Sequence, residues 1–224
     1  MSVQCEQAIG RGSSSRVFAL VAGTLLWSIG TGAWAIDVKL SSEEAKKSLE
    51  AGRIPMEKAA SPEDVKKVLQ QASVATRVGA DPEKDPCGAS AILRTKHFRL
   101  EAFGRQEAAE SKKQKKDVRM PEEFIQKVID MPNMEVEVQL CGDDEYFAEK
   151  ADIVFQQKGK NIKPVDVSPA ERGRKNEGQG PAYRARFTAR FGYESFDPNA
   201  KTTIIVTLQD GQEIKIDADF SKVK

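Results

Sequence analysis

One histidine, His97, supplies all the imidazole in this 224-residue chain. Any Ser-His-Asp or Cys-His nucleophilic site would have to be built on it. It stands in Lys96-His97-Phe98, inside a stretch that reads as a strand, and no G-x-S-x-G accompanies it. The expectation is a surface-facing or incidentally placed histidine with no catalytic role. Zinc needs several His or Cys ligands, and the same scarcity argues against it.

Three further groups have chemistry to weigh. Asp143-Asp144-Glu145, directly after Cys141-Gly142, offers the hard oxygen ligands that calcium takes. The spacing lacks the D-x-D-x-D-G order of a calcium loop, so a solvated acidic turn is expected. Met131 and Met134 place two thioethers three residues apart, acceptable to Cu(I), but methionine serves more often as apolar filler. Asp217 and Asp219 fall on one face of a strand, about 7 Å apart by strand rise, within reach of a carboxylate-pair hydrolase. They alternate with an apolar set and so should face water. No metal or cofactor is expected from these residues.

The cysteines carry more. Arg11 and Arg16 precede an apolar run from Val17 to Ile29, and Ala33-Trp34-Ala35 follows. A basic start, a short apolar core and an A-x-A site make a cleavable secretory leader over 1–35, with cleavage before Ile36. The run is about 13 residues, short of the roughly 20 that span a bilayer. No stable membrane anchor is therefore expected after cleavage. Residue 36 is not cysteine, which argues against a lipid anchor. Cys5 leaves with the leader, so Cys87 and Cys141 remain as an even pair in an oxidising compartment, and a disulfide follows.

Removing Arg11, Arg16 and Glu6 leaves 33 basic and 33 acidic residues. A near-neutral chain has no general electrostatic draw toward nucleic acid or anionic membrane. Its most distinctive surface feature is a stripe of Arg184, Arg186 and Arg190 alternating with apolar residues. This is a candidate partner contact, unless the arginines pair with Glu135 and Glu137 on a neighbouring strand.

The elements that must position these residues fall into two regions, a helical extension over 36–80 and a β domain over 81–224. Ser41 with Glu44 reads as a capping box for a helix ending at Gly52. Ser61-Pro62 starts a second helix, ending at Gly79, whose stripe Val65, Val68, Leu69, Ala72 and Ala75 cannot make its own core and so covers a sheet face or serves as a stalk or partner-binding helix. Ser90 to Phe103 reads as a strand with Ile92, Phe98 and Leu100 inward. Glu107 to Arg119 reads as a solvated charged loop, and Pro121 to Ile129 as a short helix. Val136, Val138 and Leu140 alternate with Glu135, Glu137 and Gln139, as do the apolar residues from Tyr183 through Tyr193 with Arg184, Arg186, Thr188 and Arg190. Ala151 to Gln157 gives another strand, and Thr202 to Phe220 a hairpin about Asp210-Gly211.

The expected fold is mainly β, an antiparallel β-sandwich behind a helical extension. An immunoglobulin-like topology is compatible, with Cys87–Cys141 as a bridge between sheets. The expected function is an exported, non-enzymatic interaction or structural module. Its partner would be another envelope or exported protein. The alternative is an exported carrier of a small ligand or metal, or a carboxylate-pair hydrolase.

Overall fold

Serines start the first two helices as their spacing demands. In α1 (Ser42–Lys58), Ser41 accepts from the Glu44 N–H while Glu44 accepts from the Ser41 N–H. In α2 (Pro62–Val74), Ser61 and Asp64 form the same reciprocal box, with Pro62 at the helix start. The computed structural model describes residues 36–177 and 180–223, so the expected leader over 1–35 lies outside the described residues.

Two helix ends differ from expectation. α1 passes through Gly52 and continues to Lys58, because Gly52 serves a helix–helix contact and not a chain reversal. α2 stops at Val74, and Gly79 instead closes a short strand, β1 (Arg77–Gly79). α2 has no buried residue, and Leu69 and Val74 are 50% and 60% exposed. Along the apolar stripe Val65, Val68 and Ala72 are half-buried, while Leu69 and Ala75 are exposed.

The largest correction falls between 90 and 119. Strand β2 covers only Ser90–Arg94, and its inward residues are Ala91 and Leu93, with Ile92 on the opposite face. Thr95 then caps α3 (Lys96–Gln114) by accepting from the Phe98 N–H. The stretch expected as a charged loop is mostly this helix, which ends with Lys115 in the left-handed conformation. Its buried side includes Lys96, His97, Arg105 and Glu107, so an apolar period is missing although the helix is well anchored. α4 (Glu122–Ile129) forms as expected.

The β elements follow the alternation closely. They are β3 (Asn133–Gly142), β4 (Asp152–Gln157), β5 (Lys160–Ile162), β6 (Asp166–Val167), β7 (Arg174–Lys175), β8 (Tyr183–Gly192), β9 (Lys201–Thr207) and β10 (Glu213–Asp219). One antiparallel sheet runs β1-β2-β3-β8-β6, with β7 also on β8, and the second runs β10-β9-β4-β5. Lys158 and Gly159, both at positive φ, make the tight β4–β5 turn. Gly211, at φ 84°, closes the last hairpin as a three-residue loop, one residue longer than Asp210-Gly211 alone implies.

Val136, Val138, Leu140, Phe187, Ala189 and Phe191 from the first sheet meet Ile153, Phe155, Ile204, Val206 and Ile216 from the second. Phe155 and Phe191 stack with ring centroids 3.6 Å apart. This is the sandwich core. A second core gathers Leu40, Ala45, Leu49, Leu100, Ile125 and Val128 between α1, α3 and α4. Residues 36–80 are built into the same compact unit as the β region: Ile36 sits in the sandwich core, β1 pairs with β2, and α1 packs on α3. Lys96 secures this junction, its ammonium donating to the carbonyls of Val38 and Ile129 at 2.8 and 2.6 Å. Burial pulls the Lys96 ammonium below the usual lysine range and pushes the neighbouring Tyr193 phenol up.

Candidate functional site

Cys87 lies in the loop between β1 and β2, and Cys141 lies near the end of β3. They form a disulfide with Cα atoms 5.3 Å apart. The expected link between sheets is corrected: the bond ties β3 to a loop that joins two strands of the same first sheet, because the outward positions of β3 run Glu135, Glu137, Gln139, Cys141. The bond holds the β1–β2 loop against the solvent side of that sheet. The Asn176 side-chain amide donates to Cys87 Sγ at 3.0 Å, and one Arg184 guanidinium nitrogen donates to the Pro86 carbonyl and Asn176 Oδ1 at 3.1 and 3.3 Å.

A cleft of about 540 Å³ opens there, with Arg174, Lys175, Arg184 and Arg186 against Glu171 and Glu177. Its volume lies in the range of small-ligand and peptide-side-chain pockets. Four cations face two carboxylates.

The rest of the face explains why the cleft is cationic. Antiparallel register sets Arg94, Glu135, Arg190 and Asp166 in one row across the sheet. At that end charges are matched. Arg94 bonds both Glu135 and Glu137, Arg99 pairs with Glu135 at 2.9 Å, and Arg190 pairs with Asp166 at 2.7 Å. Toward the disulfide the matching fails. Among the described residues Arg186 has only Glu137 at 3.8 Å, a carboxylate already shared with Arg94. Arg77 donates to the Ser90 hydroxyl, and Arg184 to neutral oxygens. Neither has a carboxylate within 4.0 Å among the described residues. Burial pulls the Arg77 guanidinium down; the nearby Glu137 carboxylate opposes that shift, and neighbouring Arg186 adds to it. Of the three arginines singled out by sequence, the structure brings Arg184 and Arg186 to the cleft and leaves Arg190 in a closed ion pair.

The other sequence candidates lie apart from this cleft. Glu145 is clamped by both arms of Arg172 at 2.7 and 2.9 Å, a contact that holds its carboxyl below the usual range. Asp144 accepts from the Tyr146 N–H. No group of three or more metal-ligating side chains occurs among the described residues. Met134 is fully buried in the sandwich core. Asp217 accepts from the Thr203 hydroxyl, while Asp219 caps a terminal 3₁₀ turn (Phe220–Lys222) and pairs with Lys222.

His97 is not surface-facing. It is 9% exposed at the start of α3, with Nδ1 2.5 Å from Ser48 Oγ and Nε2 2.6 Å from Asp37 Oδ2. The three residue types of a hydrolytic triad therefore meet, a grouping that separations of 49 and 60 residues hide from sequence inspection. Ser48 is only 3% exposed, and its hydroxyl donates to the Glu44 carbonyl one turn back in α1. A nucleophile so enclosed offers no approach to a substrate carbonyl. The set instead ties the segment before α1 to α1 and α3.

Sequence reasoning missed Pro86, Arg174, Lys175 and Asn176 as neighbours of the arginine stripe. Only the even cysteine pair hinted that the loop at 80–89 returns to this face. Compared with known proteins, the chain matches no protein-family model and no curated protein.

Proposed function

We propose that this chain is an exported, non-enzymatic interaction module, and that the solvent face of its first sheet holds an acidic partner from the envelope or exterior. The observation that carries the reading is the charge imbalance at one end of that face. Arg77, Arg184 and Arg186 lie together without full counter-ions, while the arginines at the other end are paired. A guanidinium fork recognises carboxylates in two-point contacts, and an incompletely paired set on a rigid sheet is preorganised for them. Export rests on the leader expected over 1–35 and is supported by the Cys87–Cys141 bond, a cross-link that persists in oxidising compartments. Among the described residues no helix is long and apolar enough to cross a membrane.

The test is crosslinking in the cells that make the protein. A photoreactive residue at Thr188, between Arg186 and Arg190, should trap another exported protein, and the same probe at Gln209 should not. Replacing Arg184 and Arg186 by glutamine should abolish the adduct. The reading fails if no adduct forms at Thr188, or if the adduct survives that replacement.

A further inference from the structure

We infer that the cleft beside the disulfide is a binding site for a short, extended peptide segment carrying carboxylates at alternate positions. This rests on the reading of the arginine face above and specifies its ligand.

The repeat of the site sets the repeat of the ligand. Arg184 and Arg186 project from the same face of β8, two residues apart, which places their backbones about 7 Å apart. An extended peptide has the same two-residue period, so acids at alternate positions meet successive guanidinium groups in register. Arg174, opposite Arg184 on the short β7, and Lys175 beside it widen the cationic wall. The opposite wall is Pro86, held by the Cys87–Cys141 bond and by the Arg184 contact to the Pro86 carbonyl.

Glu171 and Glu177 narrow the choice of ligand. Both line the cleft, and Glu171 already draws on Arg174 at 3.6 Å. They repel a chain charged at every unit, as a sulfated polysaccharide or polyphosphate is. A peptide whose acids alternate with neutral residues can place its carboxylates on Arg184 and Arg186 and neutral groups near the glutamates.

Fluorescence anisotropy on the purified, oxidised protein tests this, with a labelled heptapeptide alternating threonine and glutamate as probe. Binding should be at least about tenfold tighter than to the same peptide with glutamine for glutamate, as expected for charge-assisted contacts. R186Q removes an exposed side chain and should weaken the probe about tenfold, whereas R190Q, at a closed ion pair, should stay within about twofold. Equal binding of the glutamate and glutamine peptides would overturn the inference. So would equal loss in R186Q and R190Q, or tighter binding of a heparin oligosaccharide than of the probe. Should the Thr188 crosslink depend on the arginines while the peptides show no selectivity, this inference alone fails. Absence of the crosslink removes the broader reading as well.

Discussion

Gly52 and Gly104 are reciprocal. A Cβ on Gly52 would stand 1.9 Å from the Glu101 carbonyl oxygen of α3, and one on Gly104 would stand 1.9 Å from the Leu49 carbonyl oxygen of α1. The obstacle is backbone in both cases, so neither helix can yield by turning a side chain. Alanine gains up to about 1 kcal/mol of helix propensity over glycine, but the contact forces the helices apart. G52A and G104A should each lower unfolding free energy by about 1–3 kcal/mol net, the range for overpacking. Urea denaturation measures it, and a stabilised G52A would refute the contact.

The Arg53–Glu107 pair joins the same two helices, at 3.2 Å and with side chains only 6% and 4% exposed. Glu107 also accepts from the Met120 N–H at 2.6 Å. E107A takes one of several acceptors from the buried Arg53, which keeps Glu57, Asp117 and the Val118 carbonyl, and leaves the Met120 N–H without its acceptor, so it should cost about 1–3 kcal/mol. E57A removes a partner of the same arginine that is 44% exposed and should cost under about 1 kcal/mol. Comparable losses in the two variants would contradict this ordering.

Reduction of Cys87–Cys141 opens a sequence separation of 54 residues. The stabilisation lost should be about 2–4 kcal/mol, most of it from freeing the unfolded chain. Denaturation midpoints with and without reductant, checked against a protein carrying both C87S and C141S, give the number.

Acid should weaken the fold through carboxylates held below their usual range. Arg172 lowers Glu145, and Arg119 with Arg53 lowers Asp117. For such groups the unfolded chain binds more protons in the window between the folded and unfolded values, so stability rises with pH there. Their contribution is fully present above about pH 5 and is lost as pH falls below about 4. E145Q should flatten part of that decline in a urea series across pH. An unchanged slope would remove Glu145 from the account.

The exposed face of α2 makes a contrasting case. L69K and V74K replace apolar side chains that are 50% and 60% exposed, and each should shift stability by less than about 0.5 kcal/mol. A loss of several times that would show that the helix is covered in solution.

These cases explain which parts of the fold were legible. β3, β8 and the β9–β10 hairpin each bury one face, so Val136, Val138 and Leu140, or Phe187, Ala189 and Phe191, announce a period of two. α3 hides itself because Lys96, His97, Arg105 and Glu107 occupy its buried side through hydrogen bonds and ion pairs, which hydrophobic spacing does not register. Phe98 and Leu100 then mimic a strand. The arginine stripe was visible for the same reason β8 was. Its division into a fully paired end and an incompletely paired end was not, because that depends on where Arg94, Asp166 and Pro86 arrive from distant parts of the chain.

Ile36 is seated among the sheets and Leu40 among the helices, only four residues apart. A load applied at the front of the described chain therefore meets two anchors in succession, with the Lys96 ammonium gripping the Val38 carbonyl between them. Peeling that end away would expose the sandwich interior at Ile36 and then the helical interior at Leu40.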